Sequence, residues 1–276
     1  YGLKKDVDYI IKAGEIYLID EYTGRIAENR QWPEGLQQAV EAKEKLDQRK
    51  KGQIYASITM QNFIGLYKEY CGMTGTAMAA ESEFNEIYGL QILQIPTHKK
   101  CIRTDREDRI VETKEEKKKL LLEELYLSKA KGQPVLIGTL SILESEEISS
   151  WLSNNGWNHQ VLNAKNSELE AELIRKAGEK NSLIISTNMA GRGVDIQLGK
   201  GVCEVGGLKV IGYGHQESKR IDLQLRGRAG RQGDVGESVI LVSLQDDFME
   251  KYELLAYLTE KEKKKRYQEG WKNQKI

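Results

Sequence analysis

From residue 133 onward, short apolar runs alternate with amphipathic stretches, and that rhythm constrains the fold more than any other feature of the chain. Pro134–Gly138, His159–Asn163, Leu183–Thr187, Gly207–Tyr213 and Val239–Leu244 read as strands. Between them, Ser141 opens a helix that runs to Gly156, and Glu168–Ala177 forms another, closed by Gly178. Further helices are predicted over about 218–228 and from near Asp246. Runs that are apolar throughout suit strands buried on both faces. Strands alternating with helices build βαβ units, and hence a parallel sheet flanked by helices. The predicted class is α/β.

The region before residue 133 is less regular. Val7–Asp20 holds two β-rich runs around Gly14, a hairpin pattern. Pro33 and Glu34 open a helix through about Leu46, with proline at its first position. Helices are also predicted over 60–70, ending at Gly72, and over 80–88. A strand over Gln91–Ile95 follows, and Pro96 breaks the chain. Residues 114–130 form a Lys/Glu-rich helix whose charges predict a solvated face with i,i+4 pairs. Glu260–Lys265 is a charge run, read as solvated helix or frayed end.

Composition narrows the function classes. The 276 residues suit about two domains. Lys+Arg and Asp+Glu both number 42, so the net charge is zero. That excludes a chain-wide basic field, and with it a simple DNA-coating protein. No apolar run approaches the roughly 20 residues needed to span a bilayer, and no signal peptide is visible. Cys71, Cys101 and Cys203 are far apart and odd in number, which fits a reducing compartment without a disulfide framework. His98, His159 and His215 are also scattered, so spacing builds no metal-ligand cluster. The chain starts at Tyr1, as a processed product or a piece of a longer protein would.

The strongest chemical signal is Gln224-Leu225-Arg226-Gly227-Arg228-Ala229-Gly230-Arg231, a Q-x-x-G-R-x-G-R run after a strand and a helical segment. A breaking phosphate anhydride spreads negative charge over its oxygens, and fixed guanidiniums match that charge with forked donors. Glycines let the backbone turn tightly while the arginines project. Spaced i,i+3 on a near-helical path, Arg228 and Arg231 face the same way and are catalytic candidates, as is Arg192. Gln224 and Gly227 are nucleotide-binding candidates beside them. The pattern recurs in helicase-like ATPases of superfamily two; the plainer reading is an arginine-rich loop making surface salt bridges.

The second signal is Ser186–Ile196, a strand end followed by a glycine-rich turn. Ligands of open α/β sheets sit at the carboxyl ends of strands. There Arg192 can meet phosphate, and Asp195 can accept from ribose hydroxyls or orient Arg192. Gly191 and Gly193 supply the turn. The plainer reading is a turn with a capping Asp. Gly72–Ala77 is weaker: Thr74, Gly75 and Thr76 form either a plain turn or a hydrogen-bonding relay between a nucleotide site and a neighbouring domain. The carboxylates of Asp20 and Glu21 suggest a turn after the hairpin rather than a Mg²⁺ site. No G-x-x-x-x-G-K-[ST] phosphate loop occurs among the 276 residues.

Taken in order, Asp20–Arg25, Glu34–Glu44, Gly72–Ala77, Gly132–Thr139, Val161–Lys165, Thr187–Ile196 and Glu217–Asp234 resemble the SecA family, the ATPase motors of bacterial protein export. The resemblance covers nearly the whole chain. It implies a RecA-like parallel sheet, the second nucleotide-binding domain of a helicase-like motor, over residues 98–245. It also implies partial flanking domains: the end of the preprotein cross-linking domain over 1–20, the returning part of the first nucleotide-binding domain over 21–97, and the start of a helical scaffold over 246–276. The family usually has Gly-Thr-Glu-Arg-His-Glu-Ser where this chain has Gly212-Tyr213-Gly214-His215-Gln216-Glu217-Ser218. It usually has His at Gln37 and Ser at Ala229. These departures resemble an accessory SecA with a restricted set of substrates.

The resemblance implies an ATP-driven protein translocase using ATP and Mg²⁺, with magnesium held mainly by first-domain motifs that this segment lacks. Asp195, Arg192, Arg228 and Arg231 would complete the site from the second domain, and the isolated segment is expected to be inactive. The implied partners are preproteins, a membrane translocon channel and an anionic membrane surface, with a homodimer possible and no specific nucleic acid. The implied place is the cytoplasm, peripherally at the inner face of the cell membrane. Two rivals remain: a superfamily-two nucleic-acid helicase, and a non-catalytic nucleotide- or partner-binding module. Zero net charge and the lack of aromatic residues among basic ones weigh against the helicase.

Overall fold

The computed structural model describes residues 2–19, 26–27, 30–33, 35–47, 56–163, 170–187, 194–216 and 218–246. Outside them lie the Asp20–Arg25 turn, the candidates Gly191, Arg192 and Gly193, and the helix expected beyond Asp246.

The expected hairpin forms from β1 (Tyr9–Lys12) and β2 (Glu15–Ile19), paired antiparallel, with β3 (Ile26–Ala27) on the far side of β2. Helix α1 (Leu36–Lys43) contributes Val40 to a small core with Tyr9 and Ile16. It starts later than predicted, because Gly35 at its N-cap takes a left-handed φ of 84° and leaves Pro33 in the preceding turn. Helix α2 covers only Met60–Ile64 and is capped at Gly65, short of the predicted 60–70. A 3-10 turn at Ala77–Ala80 leads into α3 (Glu81–Tyr88). Gln91–Ile95 forms no strand; Leu93 and Ile95 are 83% and 76% exposed, and no described neighbour offers them a ladder.

The main sheet contains β4 (Thr104–Asp105), β5 (Arg109–Val111), β6 (Val135–Thr139), β7 (Gln160–Leu162), β8 (Leu183–Thr187), β9 (Leu208–Tyr213) and β10 (Gly236–Ser243). Its order is β4-β10-β9-β6-β8-β7, with β5 paired further along the same edge of β10. Every pairing in it is parallel. The crossovers are α4 (Lys114–Lys131), α5 (Ile142–Asn154), α6 (Glu170–Ala177) and α7 (Lys219–Arg226). Strand geometry sends alternate residues to opposite faces. Val135, Ile137, Ile185, Ile211, Val239 and Leu241 therefore meet Leu121 and Leu125 of α4 and Ile148 and Leu152 of α5. Leu136, Ile184, Leu208 and Val210 meet Leu173 and Ile174 of α6 and Leu225 of α7. Each such side chain, fully buried, stabilises by about 1.5–3 kcal/mol. Leu225 packs directly on β6: a Cβ at Gly138 would lie 2.6 Å from its methyls.

Helix α4 corrects one expectation. Its start is a capping box between Thr113 and Glu116, and Gly132 closes it in the left-handed region. Yet two of its charges are not solvated. Lys117 and Glu124 are fully buried. The Lys117 ammonium meets both Asp246 carboxylate oxygens at 2.8 and 2.9 Å and lies over the Tyr213 ring. Glu124 accepts from Lys209 at 2.6 Å, Arg106 at 2.8 Å and Arg109 at 3.0 Å. Burial alone would raise its pKa, but those cations outweigh burial and hold it at about 2. Among the described residues, no helix is long and apolar enough to cross a membrane.

Candidate functional site

Helix α7 ends at Arg226, and Gly227–Val235 then runs back over the α6–α7 face to the start of β10. Ala229 is buried in that face and anchors the loop. Gly230 takes a φ of 67°, and Arg103 packs where its Cβ would be, at 2.5 Å. Both facts require glycine there. Arg103 donates from Nη1 to the Ala229 carbonyl at 3.1 Å while forking onto Asp105 at 2.7 and 2.9 Å. Asp105 also accepts from Ser238. Burial pushes the Asp105 pKa up, but the Arg103 and Ser238 bonds outweigh it and leave it low. The loop is thus braced by the edge strand β4.

The path between the two candidate arginines is not helical, because α7 has ended and Gly230 turns the chain left-handed. The two differ accordingly. Arg228 is 8% exposed, whereas the Arg231 side chain is 35% exposed. Arg231 donates from Nε to the Gly227 carbonyl at 2.9 Å and from Nη1 to Asp195 Oδ1 at 2.8 Å. Asp195 lies in the connection that follows β8, so the two strongest sequence signals meet through this pair. No described residue meets Arg231 Nη2. That half-exposed donor edge fits an anionic group such as a nucleotide phosphate.

Gln224 faces elsewhere. Its amide donates to Thr76 Oγ1 at 3.3 Å, and Thr76 contacts Thr74 Oγ1 at 3.3 Å through both its hydroxyl and its backbone N–H. The Thr74-Gly75-Thr76 turn is therefore joined to α7. Gly227 sits at the C-cap of α7.

Sequence reasoning passes over the groups behind the loop. Arg226 donates to Ser238 Oγ at 2.8 Å and to Asp108 Oδ1 at 2.9 Å. His215, at the end of β9, bridges Asp222 Oδ2 at 2.5 Å and Asp108 Oδ2 at 3.1 Å. Burial pulls the His215 pKa down, but the bonds to Asp108 and Asp222 outweigh it and raise the ring above its ordinary value. The same contacts, with Arg226, hold Asp108 low despite its burial. Arg226 stands inside the arginine motif and could be found there; His215 shows in the sequence only as part of a departure from the family's pattern, and Asp108 carries no local signal. Among the described residues, no group of three metal-ligating side chains gathers. All three cysteines are free and exposed.

A parallel sheet with helices on both faces is the architecture of a RecA-like domain, and here an arginine loop is tied to the connection that follows β8. The chain matches the family model of the SecA P-loop domain over residues 100–203 and 200–263, and that of the SecA preprotein cross-linking domain over residues 1–41. It is 57% identical over 247 residues to the protein translocase subunit SecA of Halothermothrix orenii. It is 53% identical over 247 residues to that of Caldicellulosiruptor saccharolyticus. Each alignment covers 90% of this chain and 29% of the relative. The chain belongs to the SecA family, and it spans about three-tenths of the length of these relatives. Among solved structures it is similar to the E. coli DEAD-box protein SrmB, with a TM-score of 0.43 and 22% identity over 57% of this chain and 87% of that one. It is also similar to the yeast DEAD-box splicing factor Prp28, with a TM-score of 0.42 and 20% identity over 67% and 39%.

Proposed function

We propose that this chain supplies the second half of the ATP site of a SecA-type motor. The whole protein then couples ATP binding and hydrolysis to preprotein export across the cytoplasmic membrane. The observation that carries this reading is the Arg231–Asp195 contact at 2.8 Å, which joins two motifs far apart in sequence. Bound ATP would supply a γ-phosphoryl group for transfer to water. Arg231, through its free Nη2 edge, and Arg228 and Arg192 in the same motifs would stabilise the charge that develops on it. Asp195 orients Arg231. Gly191 and Gly193 beside Arg192, and Gly227 beside Arg228, let the backbone approach the nucleotide.

Gln224 and the Thr74-Gly75-Thr76 turn couple the site to the first nucleotide-binding domain, of which residues 21–97 form part. In this division 1–20 end the preprotein cross-linking domain, 98–245 form the second nucleotide-binding domain and 246–276 begin the helical scaffold. Magnesium is held by first-domain groups beyond this segment, so the segment alone does not turn over ATP. The protein works from the cytoplasm, at the inner face of the membrane, with preproteins and a translocon channel as partners.

Arg231→Ala in the full-length protein tests this directly. A half-exposed ion pair contributes about 0–1 kcal/mol to stability. Loss of a transition-state donor cuts turnover about a hundredfold or more, which is about 2.7 kcal/mol. The expected result is an unchanged melting temperature, a few-fold change in nucleotide affinity and that large loss of turnover. Arg231→Lys should rescue poorly, because an ammonium lacks the planar fork. Near-normal turnover in folded Arg231→Ala would sink the assignment. Arg228→Ala is a poorer test, since Arg228 is buried and its loss disturbs packing as well.

A further inference from the structure

We propose that His215 is a positioning residue: protonated, it ties the turn carrying Asp108 to α7 and so holds the loop of Arg228 and Arg231 in place. This rests on the reading of that loop as part of the nucleotide site.

The geometry is a two-sided clamp. The imidazole is 1% exposed, and each of its nitrogens faces a carboxylate on a different element. Asp222 belongs to the first turn of α7 and also accepts from the Gln216 backbone N–H at 3.0 Å. Asp108 belongs to the turn between β4 and β5 and is shared with Arg226. Two nitrogens that both donate define an imidazolium, since a neutral ring carries one N–H. Protonated, His215 and Arg226 offer two cations to Asp108 and Asp222. Neutral, the ring leaves one of two carboxylates facing a lone pair, the Asp222 side chain being 5% exposed and that of Asp108 21%.

Among the described residues, the nearby charges have partners of opposite sign. On the side of Gly214, Lys117 of α4 and Asp246 after β10 pair with each other, and a Cβ at Gly214 would lie 3.5 and 3.7 Å from their charged atoms. Arg226 also donates from Nη1 to Ser238 and to the Arg106 carbonyl. Arg106 itself is turned to Glu124 and Glu237. The charge that titrates near neutrality in this set is His215.

The direction of the effect follows. The folded-state pKa lies above the ordinary value of 6.5. The clamp therefore contributes fully below that value and is lost as pH rises through the raised one. Loss of the proton frees the start of α7 from the Asp108 turn. The eight-residue helix and the loop that follows it then share the loosening.

The test is hydrogen-exchange protection of the α7 amides, corrected for intrinsic rate, in the full-length protein from about pH 6 to about pH 9, with ATP turnover measured in parallel. In the wild type, protection should fall about tenfold or more across the transition, which corresponds to about 1.4 kcal/mol. His215→Arg keeps a permanent cation and should show no such fall. Asp222→Asn removes one of the two charges but keeps an oxygen for the Gln216 N–H. It should move the midpoint to lower pH, which keeps the proposal open to refutation even if the arginine is too large for the site.

Protection that ignores pH in the wild type would overturn the clamp. So would His215→Arg falling in parallel, or an unmoved midpoint in Asp222→Asn. Turnover that stays constant while protection falls would overturn the positioning role. The loop's own assignment fails on a different result, normal turnover in Arg231→Ala, whatever α7 does with pH.

Discussion

Residues 98–246 and residues 56–97 hold apolar side chains in opposite ways. In the first region nearly every large apolar residue of β6, β8, β9 and β10 is buried on one face of the sheet or the other. In the second, Met60, Leu66, Leu93 and Ile95 are all exposed, and Met73 is fully so. Both regions carry helices, and α3 even has a closed C-cap at Gly89. Helix formation is therefore not what separates them. Short helices gain little from propensity alone and take most of their stability from packing. The first region packs against itself. The second is joined to it through the Thr76–Gln224 hydrogen bond and the contact of α7 with the Ala77–Ala80 turn.

The contrast can be broken by mutation, most forcefully at its centre. Glu124→Leu in the 276-residue chain leaves Lys209 and Arg106 without their shared buried acceptor. The cost should be about 3–5 kcal/mol in chemical denaturation, the scale of a buried pair with one partner gone. A change below about 1 kcal/mol would mean that the network is superfluous. A matched pair of truncations comes next. Leu152→Ala, in the α4–α5 core, should lose about 2–5 kcal/mol. Leu93→Ala should stay within about 0.5 kcal/mol. Equal losses would abolish the distinction between the two regions. The smallest effect belongs to the joint. Gln224→Ala should cost about 0.5–1.5 kcal/mol or less. It should also speed protease cleavage within residues 72–80 without touching the β6–β10 sheet. No change in that cleavage would show that the Thr76 contact does not hold the turn.

Burial explains which parts are legible in the sequence. Leu183–Thr187 can be read to the residue: its Leu-Ile-Ile start suits a strand covered on both faces, and the polar Ser186 and Thr187 close it before the glycine-rich stretch. Ser141 announces α5, and its hydroxyl does accept from the Glu144 N–H at 3.1 Å. The edge strands β4 and β5 escape notice, since Thr104–Val111 is charged and shows no alternation. Their extended form comes from pairing with β10, more than a hundred residues on. The solvated face expected of α4 holds for most of its charges but misses Lys117 and Glu124 for the same reason. Lys117 and Glu124 look like surface charges until Asp246 and Lys209 arrive from distant parts of the chain. At the candidate site, spacing names Arg231 and Asp195 separately but cannot say that they touch. Spacing also sets Arg228 and Arg231 side by side on a helical path, where Gly230 in fact divides a buried arginine from a half-exposed one.

The seat of α7 on Gly138 has a mechanical consequence. With bare backbone beneath Leu225, the helix seats directly on β6 at this point. Close-packed interiors yield little under load. The helix is about 12 Å long, at 1.5 Å per residue, with Thr76 touching one flank and the Asp195 contact just past its end. A side chain at position 138 would therefore have to lift the helix, and with it the Gln224–Thr76 bond and the loop that carries Arg231.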